Sequence, residues 1–212
     1  MSSIADIRQD YKMGALAETE VHKNPFIQFN QWWAQALASN IAEVNAMALA
    51  TVNANAIPSV RIVLLKGVTD EGFQFFTNYE SQKATDMQQN SNVALVLFWK
   101  ELERQVRIEG TVQKLASIES DTYYHSRPID SQIGAWASPQ SSQIADRTIL
   151  EKNVAKAKVQ FENSPITRPP FWGGYLVIPN KIEFWQGRSN RLHDRLLYAK
   201  VQEQWVIKRL AP

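Results

Sequence analysis

Cysteine is absent from the chain of 212 residues, which excludes disulfides, thiolate metal sites, a cysteine nucleophile and cysteinyl attachment of a cofactor. The absence fits a reducing compartment. Long apolar runs are missing too: the longest, near Ala46–Val52 and Val93–Trp99, fall far short of the ~20 residues a membrane helix needs. Asp6, Arg8 and Asp10 interrupt any apolar run at the amino terminus, so no secretory signal is read there. The expectation is a cytoplasmic protein with no membrane partner. Charge of one sign is scarce as well. With 23 Lys+Arg against 21 Asp+Glu, a formal charge of +2 gives no field that implies nucleic acid.

Familiar motifs are also missing. There is no G-x-x-x-x-G-K-[ST] loop, no G-x-G-x-x-G turn and no G-x-S-x-G elbow. The three histidines, His22, His125 and His193, are widely separated and no H-E-x-x-H occurs, so no metal site is expected. If this chain binds phosphate, side chains must do it.

What is present reads as one β-rich domain over 25–212 behind a mobile arm over 1–24. Phe26, Phe29, Trp33 and Leu37, after Pro25, keep helical spacing and predict an amphipathic helix. Ala46–Val52 and Ser59–Lys66 read as a hairpin turning at Asn53–Pro58. Further strands are expected at Gly72–Thr77, Val93–Trp99 and Gln105–Leu115, the last bent at Gly110. Ser81 is placed to cap a helix reaching Gln89. From Ser117 to Phe161 the pattern is helical, broken at Pro128 and Pro139, and strands return at Tyr175–Ile178, Ile182–Trp185 and Trp205–Leu210. Antiparallel strands with short turns suggest a barrel, in which sheet edges disappear.

The run Glu183 to Arg195 concentrates chemistry: an indole, an imidazole and three guanidiniums within a strand that turns at Gly187. Trp185 offers a flat face, and arginine a fixed fork of donors for phosphate or carboxylate. That rim suits a planar, anionic ligand. Other cations sit at element ends. Arg61 and Lys66 bracket an apolar run at a spacing of five, which puts them on opposite strand faces unless a bulge or the strand's end intervenes. Lys83 falls in the first turn of the Ser81 helix, beside open backbone donors. Gln105 and Arg107 share strand parity. Tyr123, Arg127 and Ser131 recur every four residues, an alignment that Pro128 interrupts. Each alone reads more simply as a surface charge or a cap.

Together they carry a resemblance. Arg61-Ile-Val-Leu-Leu-Lys66, Phe76-Thr77-Asn78, Arg104-Gln105-Val106, Tyr123 through Trp136, Gln140-Ser141-Ser142, Trp172-Gly-Gly174, Glu183-Phe-Trp-Gln-Gly187, Arg191-Leu-His-Asp-Arg195 and Arg209-Leu-Ala-Pro212 occur in that order. From about Arg8 to Pro212 the chain closely resembles the pyridoxine (pyridoxamine) 5′-phosphate oxidases. The resemblance implies an α+β fold, an FMN-binding split β-barrel with flanking helices. It implies a homodimer with FMN at the subunit interface, and oxidation of pyridoxine or pyridoxamine 5′-phosphate to pyridoxal 5′-phosphate with molecular oxygen reduced to hydrogen peroxide.

By matching position it implies FMN contacts from Arg61, Ile62, Val63, Leu64, Leu65 and Lys66, from Phe76 and Thr77, from Gln82 and Lys83, and from Gln105, Trp185 and Arg195, with Gln140 and Ser141 reaching over from the other subunit. Lys66, Tyr123, Arg127 and Ser131 would grip the substrate phosphate. Arg191, Leu192 and His193 would lie over the substrate ring, Arg191 and His193 as the catalytic pair, and Arg8 and Tyr11 would close over it from the arm. One position departs from the family pattern: Gln82 stands where an arginine usually helps hold the FMN phosphate. Two rival classes remain on sequence alone: a split-barrel protein that holds flavin or pyridoxal phosphate without turnover, and a single-strand nucleic-acid binder, which the near-neutral charge disfavours.

Overall fold

A computed structural model describes residues 3–6 and 10–212 of the chain. Its centre is a curled antiparallel sheet of β1 (Ala46–Val52), β2 (Pro58–Leu64), β3 (Gly67–Val68), β4 (Phe73–Asn78), β5 (Asn92–Trp99), β6 (Arg104–Lys114), β7 (Trp172–Gln186), β8 (Asp194–Val201) and β9 (Gln204–Arg209). The helices are α1 (Pro25–Ala38), α2 (Gln82–Gln89), α3 (Ser117–Ser126), α4 (Ile129–Ala137) and α5 (Thr148–Gln160). Strand order is β2-β1-β5-β6-β7-β4-β3, with β8 added to β7 and β9 to β8. The sheet parts at β7. One edge of that strand pairs with β6 from Tyr175 to Gln186, while the other pairs first with β4 and then with β8.

Side-chain alternation decides what faces inward. Met47 and Leu49 on β1, Leu95 and Leu97 on β5, Val106 and Ile108 on β6, Phe184 on β7 and Tyr198 on β8 are buried in one core. Helix α1 covers them. Asn24 caps it by accepting from the Phe26 amide at 2.8 Å, and Pro25 occupies its first turn. Its inward stripe is Phe26, Phe29, Trp32 and Ala36, so the stripe expected through Trp33 and Leu37 is rotated: Leu37 is exposed and Trp33 only partly buried. Adjacent tryptophans gave the pattern two solutions, and docking on Phe184, 5.1 Å from Trp32, selects one.

The two strands expected at Tyr175–Ile178 and Ile182–Trp185 are one, β7, running through Pro179. Proline is tolerated there because the β6 register slips between Glu109 and Gly110, opposite Pro179. Gly110 is required at the slip, since a Cβ would stand 2.1 Å from the Ile178 carbonyl oxygen. Strand β8 adds to the expected set, its alternation hidden among charges in the sequence.

The segment expected as a mobile arm makes specific contacts over its later half. The Lys12 and Met13 amides both donate to Glu103 Oε2 at 2.8 Å, and the Leu16 amide donates to Asp194 Oδ2 at 3.0 Å. Leu16 is buried in the core, and Arg209 ties Glu18 to Asp194. Gly187 lets the arm pass, because a Cβ would lie 2.7 Å from Tyr11 Cγ.

Candidate functional site

A cleft of about 480 Å³ opens between the end of β2, strand β4 and the helical insert. Ile62, Val63, Leu64, Lys66, Phe76, Thr77, Lys83, Tyr123, Arg127, Ser131 and Gln140 line it, with Pro128 and Trp172 added. These come from distant parts of the sequence, and the fold brings them together.

At one end stands the start of α2. Ser81 does not cap this helix through its side chain; its hydroxyl turns back to donate to the Asn78 carbonyl at 2.7 Å. The Ala84 amide bonds to the Ser81 carbonyl at 2.9 Å, and the Gln82 and Lys83 amides are left for an anion. Lys83 Nζ reaches Gln140 Oε1 at 2.8 Å, Thr77 Oγ1 at 3.2 Å and Ser81 Oγ at 3.3 Å. All are neutral acceptors, so the ammonium keeps its charge available. Burial, helped by the nearby Arg61, pulls the Lys83 pKa down to about 8. Gln140, expected to reach a cofactor in the other subunit, lies in its own chain's cleft. Ser141 beside it is exposed with φ 73°.

Arg61 faces inward opposite Leu49, beneath α2 rather than in the cleft wall. Its Nη1 donates to Thr51 Oγ1 at 2.6 Å, and its Nη2 lies 3.7 Å from Asp86 Oδ2. Gln82 also turns to Asp86, donating from Nε2 to Oδ1 at 2.8 Å. Alternation sends Leu65 into the core with its amide bonded to Asn45. Lys66 escapes opposite-face placement because β2 ends at Leu64, the strand-end solution its spacing required.

At the other end α3 stops at Ser126, Arg127 is extended (φ −79°, ψ 151°), and α4 begins at Ile129. Tyr123, Arg127 and Ser131 thus converge across a kink instead of along one helix. Phe76, Tyr123 and Trp172 stack, with ring centroids 3.9 Å (Phe76–Tyr123) and 5.7 Å (Phe76–Trp172) apart. Lys66 Nζ lies 5.9 Å from the Tyr123 ring centre and the Arg127 guanidinium 4.6 Å from that of Trp172. Arg127 Nη1 is buried with no hydrogen-bond partner among the described residues. An orphaned cationic donor on a residue of the cleft wall asks for an anion.

The remaining expected residues form a second group that the cleft of this chain does not include. Gln105, Trp185 and Arg195 are cross-strand neighbours on the outward face of β6, β7 and β8. Trp185 packs on His193 at 4.7 Å and edge-on with Tyr11 at 5.7 Å. The Arg188 amide donates to His193 Nδ1 at 3.1 Å, which leaves Nε2 as the ring nitrogen available to a ligand. Arg191 and Leu192 project from a tight turn in which Asn190 and Arg191 have φ of 56° and 62°. Arg8 lies outside the described residues. Glu183, which no local sequence signal marks as a site residue, is a buried carboxylate that receives Arg195 Nε at 2.8 Å and Arg107 Nη1 at 3.1 Å. Its pairing lifts the Arg195 pKa further above its ordinary value.

Fold and cleft define a split-barrel protein equipped for anionic, planar ligands. The sequence model described as pyridoxamine 5′-phosphate oxidase matches residues 34–161, and that of the pyridoxine 5′-phosphate oxidase C-terminal dimerisation region matches 172–212. The chain belongs to the pyridoxamine 5′-phosphate oxidase family. It is 53% identical over 211 residues to a pyridoxine/pyridoxamine 5′-phosphate oxidase of Acaryochloris marina, covering 100% of this chain and 96% of that one. To the enzyme of the same name from Ralstonia pickettii it is 52% identical, with both chains covered in full at 100%. Among solved structures, PhzG of Burkholderia lata in complex with tetrahydrophenazine-1-carboxylic acid superposes with a TM-score of 0.87 at 28% identity, over 93% of this chain and 98% of that one. An FMN-binding pyridoxamine 5′-phosphate oxidase-related protein of Nostoc punctiforme shares the fold, with a TM-score of 0.69 at 20% identity over 87% of this chain and 97% of its own. Among the described residues no helix is long and apolar enough to cross a membrane, and no acidic or histidine cluster could hold a metal ion.

Proposed function

We propose that this chain is an FMN-dependent oxidase that converts pyridoxine 5′-phosphate or pyridoxamine 5′-phosphate to pyridoxal 5′-phosphate as a homodimer, with oxygen reduced to hydrogen peroxide. The observation that carries the reading is a cleft lined by two groups of donors with different neighbours, one at Thr77 and Gln140 and one at Tyr123 and Trp172. Lys83 and the open start of α2 form one, and Lys66, Arg127 and Ser131 the other. Two phosphates, one on the cofactor and one on the substrate, account for both.

The residues fit the flavin. Lys83 and the α2 amides would hold its phosphate, and residues 62–64 with Phe76 and Thr77 would flank the ring system. When bound, FMN supplies a ring that accepts a hydride from substrate and returns the electrons to oxygen. The chain's own work is placement. Arg127, Lys66 and Ser131 anchor the substrate phosphate, which fixes the reacting carbon at one distance from the flavin and removes orientational freedom before reaction. Gln105, Trp185, Arg195 and the Arg191–His193 turn lie within or beside the dimerisation region; in the homodimer they are assigned to the cleft of the second copy. There Arg191 favours negative charge as it develops, and His193, whose Nδ1 accepts the Arg188 amide, presents Nε2 to the substrate. Tyr11 then helps exclude water from above.

The test is steady-state peroxide release with pyridoxine phosphate, pyridoxamine phosphate and unphosphorylated pyridoxine. A yellow protein that oxidises only the phosphorylated compounds supports the proposal; equal efficiency without the phosphate overturns it. The likeness to PhzG favours a second reading, oxidation of a carboxylated polycycle. It predicts turnover of such a compound and none of either phosphate ester.

A further inference from the structure

Asp86 is an acid in a place that favours anions. It is 2% exposed, on α2 four residues after Gln82. Its Oδ2 accepts the Thr51 hydroxyl at 2.7 Å and faces Arg61 Nη2 at 3.7 Å, and its Oδ1 accepts from Gln82. Arg61 does not depend on it for position. Its guanidinium also donates to Thr51 Oγ1 at 2.6 Å, to Ser59 Oγ at 2.9 Å and to the Leu49 and Ser59 carbonyls at 3.3 Å. Neutral acceptors on β1 and β2 already fix the fork. What Asp86 adds is charge.

Resting on the assignment of this end of the cleft to the FMN phosphate, we propose that Asp86 sets the charge of the phosphate cradle. Its carboxylate cancels Arg61 in the unliganded chain, so Lys83 alone supplies net positive charge to an incoming phosphate. Gln82 satisfies the second carboxylate oxygen without adding charge of its own. The arrangement stabilises the empty protein, because a poorly solvated guanidinium without a counter-ion is costly. It also weakens the hold on an anion, since a phosphate at Lys83, near enough to Arg61 to feel its charge, feels the repulsion of Asp86 as well.

The consequence is a pair of effects with opposite signs, which a purely structural role does not produce. Asp86→Asn should lower the melting temperature of the apoprotein yet tighten FMN binding. One unit charge removed from the neighbourhood of the phosphate, at an effective dielectric of about 20 and with salt screening, corresponds to about five- to tenfold in Kd. Riboflavin, which has the ring without the phosphate, should bind the parent and the variant equally.

The experiment is a fluorescence titration of full-length apoprotein with FMN and with riboflavin, paired with thermal melts. Asp86→Ser serves as a second variant, because it removes the charge without setting an amide against that of Gln82. Tighter FMN, unchanged riboflavin and a lower melting temperature support the proposal. FMN binding unchanged or weakened, riboflavin tightened equally, or failure of both variants to fold overturns it. A parent apoprotein that does not bind FMN at all would instead overturn the assignment of the cleft itself.

Discussion

Substituting Arg127 tests substrate recognition with the least ambiguity, because its guanidinium is committed to little else. Two of its features oppose one another in the empty protein. Its buried Nη1 lacks a partner among the described residues, a defect worth about 1–3 kcal/mol against the fold. Its position over Trp172, 4.6 Å from the ring centre, returns about 0.5–2 kcal/mol. The terms nearly cancel, so Arg127→Ala should leave the melting temperature of the unliganded protein almost unchanged. Burial also pulls the Arg127 pKa down, the mark of a cation kept partly dry before its partner arrives.

With substrate present the balance changes. A charge-assisted hydrogen bond to phosphate is worth about 1.5–3 kcal/mol, so Arg127→Ala should raise KM for pyridoxine phosphate by about 10- to 150-fold. Lys66 and Ser131 line the same cleft and on this proposal would still hold the phosphate, which argues for the lower half of that range. Arg127→Lys keeps the charge but loses the planar fork, and should fall between parent and alanine. Initial-rate kinetics under air, with peroxide as readout and melting curves as control, decide the matter. A KM within about threefold of the parent at equal stability would refute the assignment of Arg127 to the substrate phosphate.

Arg191→Ala should depress kcat more than it weakens FMN retention; full recovery of turnover with excess FMN would make Arg191 a cofactor ligand instead. Gln82→Arg should tighten FMN several-fold but less than tenfold, because Asp86, already bonded to residue 82, will capture part of the new charge; a titration at low and high salt should show the gain shrinking with salt. Lys83 has a folded-state pKa of about 8, below its unfolded value. Between that pKa and about 10.4 the unfolded chain binds the extra proton, so apoprotein stability gains from this group as pH rises, while FMN affinity falls as the ammonium is lost; Lys83→Arg should flatten the affinity profile between about pH 7 and 9. Glu183→Gln leaves two guanidiniums facing each other on the outer sheet face, and a lower melting temperature with weaker FMN retention is expected, both by calorimetry and flavin release.

Most of the fold was legible because alternation and breakers carry it. The β1–β2 hairpin, the bend at Gly110 and the helices separated at Pro128 and Pro139 all follow from local chemistry. The misreadings occurred where local signals were balanced. Trp32 and Trp33 are equivalent to a helical pattern until Phe184 chooses between them. Pro179 reads as a break until the register slip in β6 removes the need for its missing N–H.

The site was legible one half at a time. Lys66, Lys83, Arg127 and the neutral Ser131 each read alone as a surface charge or a cap; the resemblance of the ordered segments gathers them, and the cleft unites them. Their acidic counterparts carry no signal, because a buried counter-ion and a solvated surface acid look alike in sequence. Asp86 follows Gln82 by one helical turn, a relation that points to contact only once residue 82 is known to face inward. Glu183 shares strand parity with Trp185, which placed it on the functional face, yet only the register with β6 and β8 puts Arg107 and Arg195 on either side. Cations announce the ligand, whereas the acids behind them determine how much of each charge the ligand meets. That second quantity depends on pairing across strands and turns, which the fold alone provides.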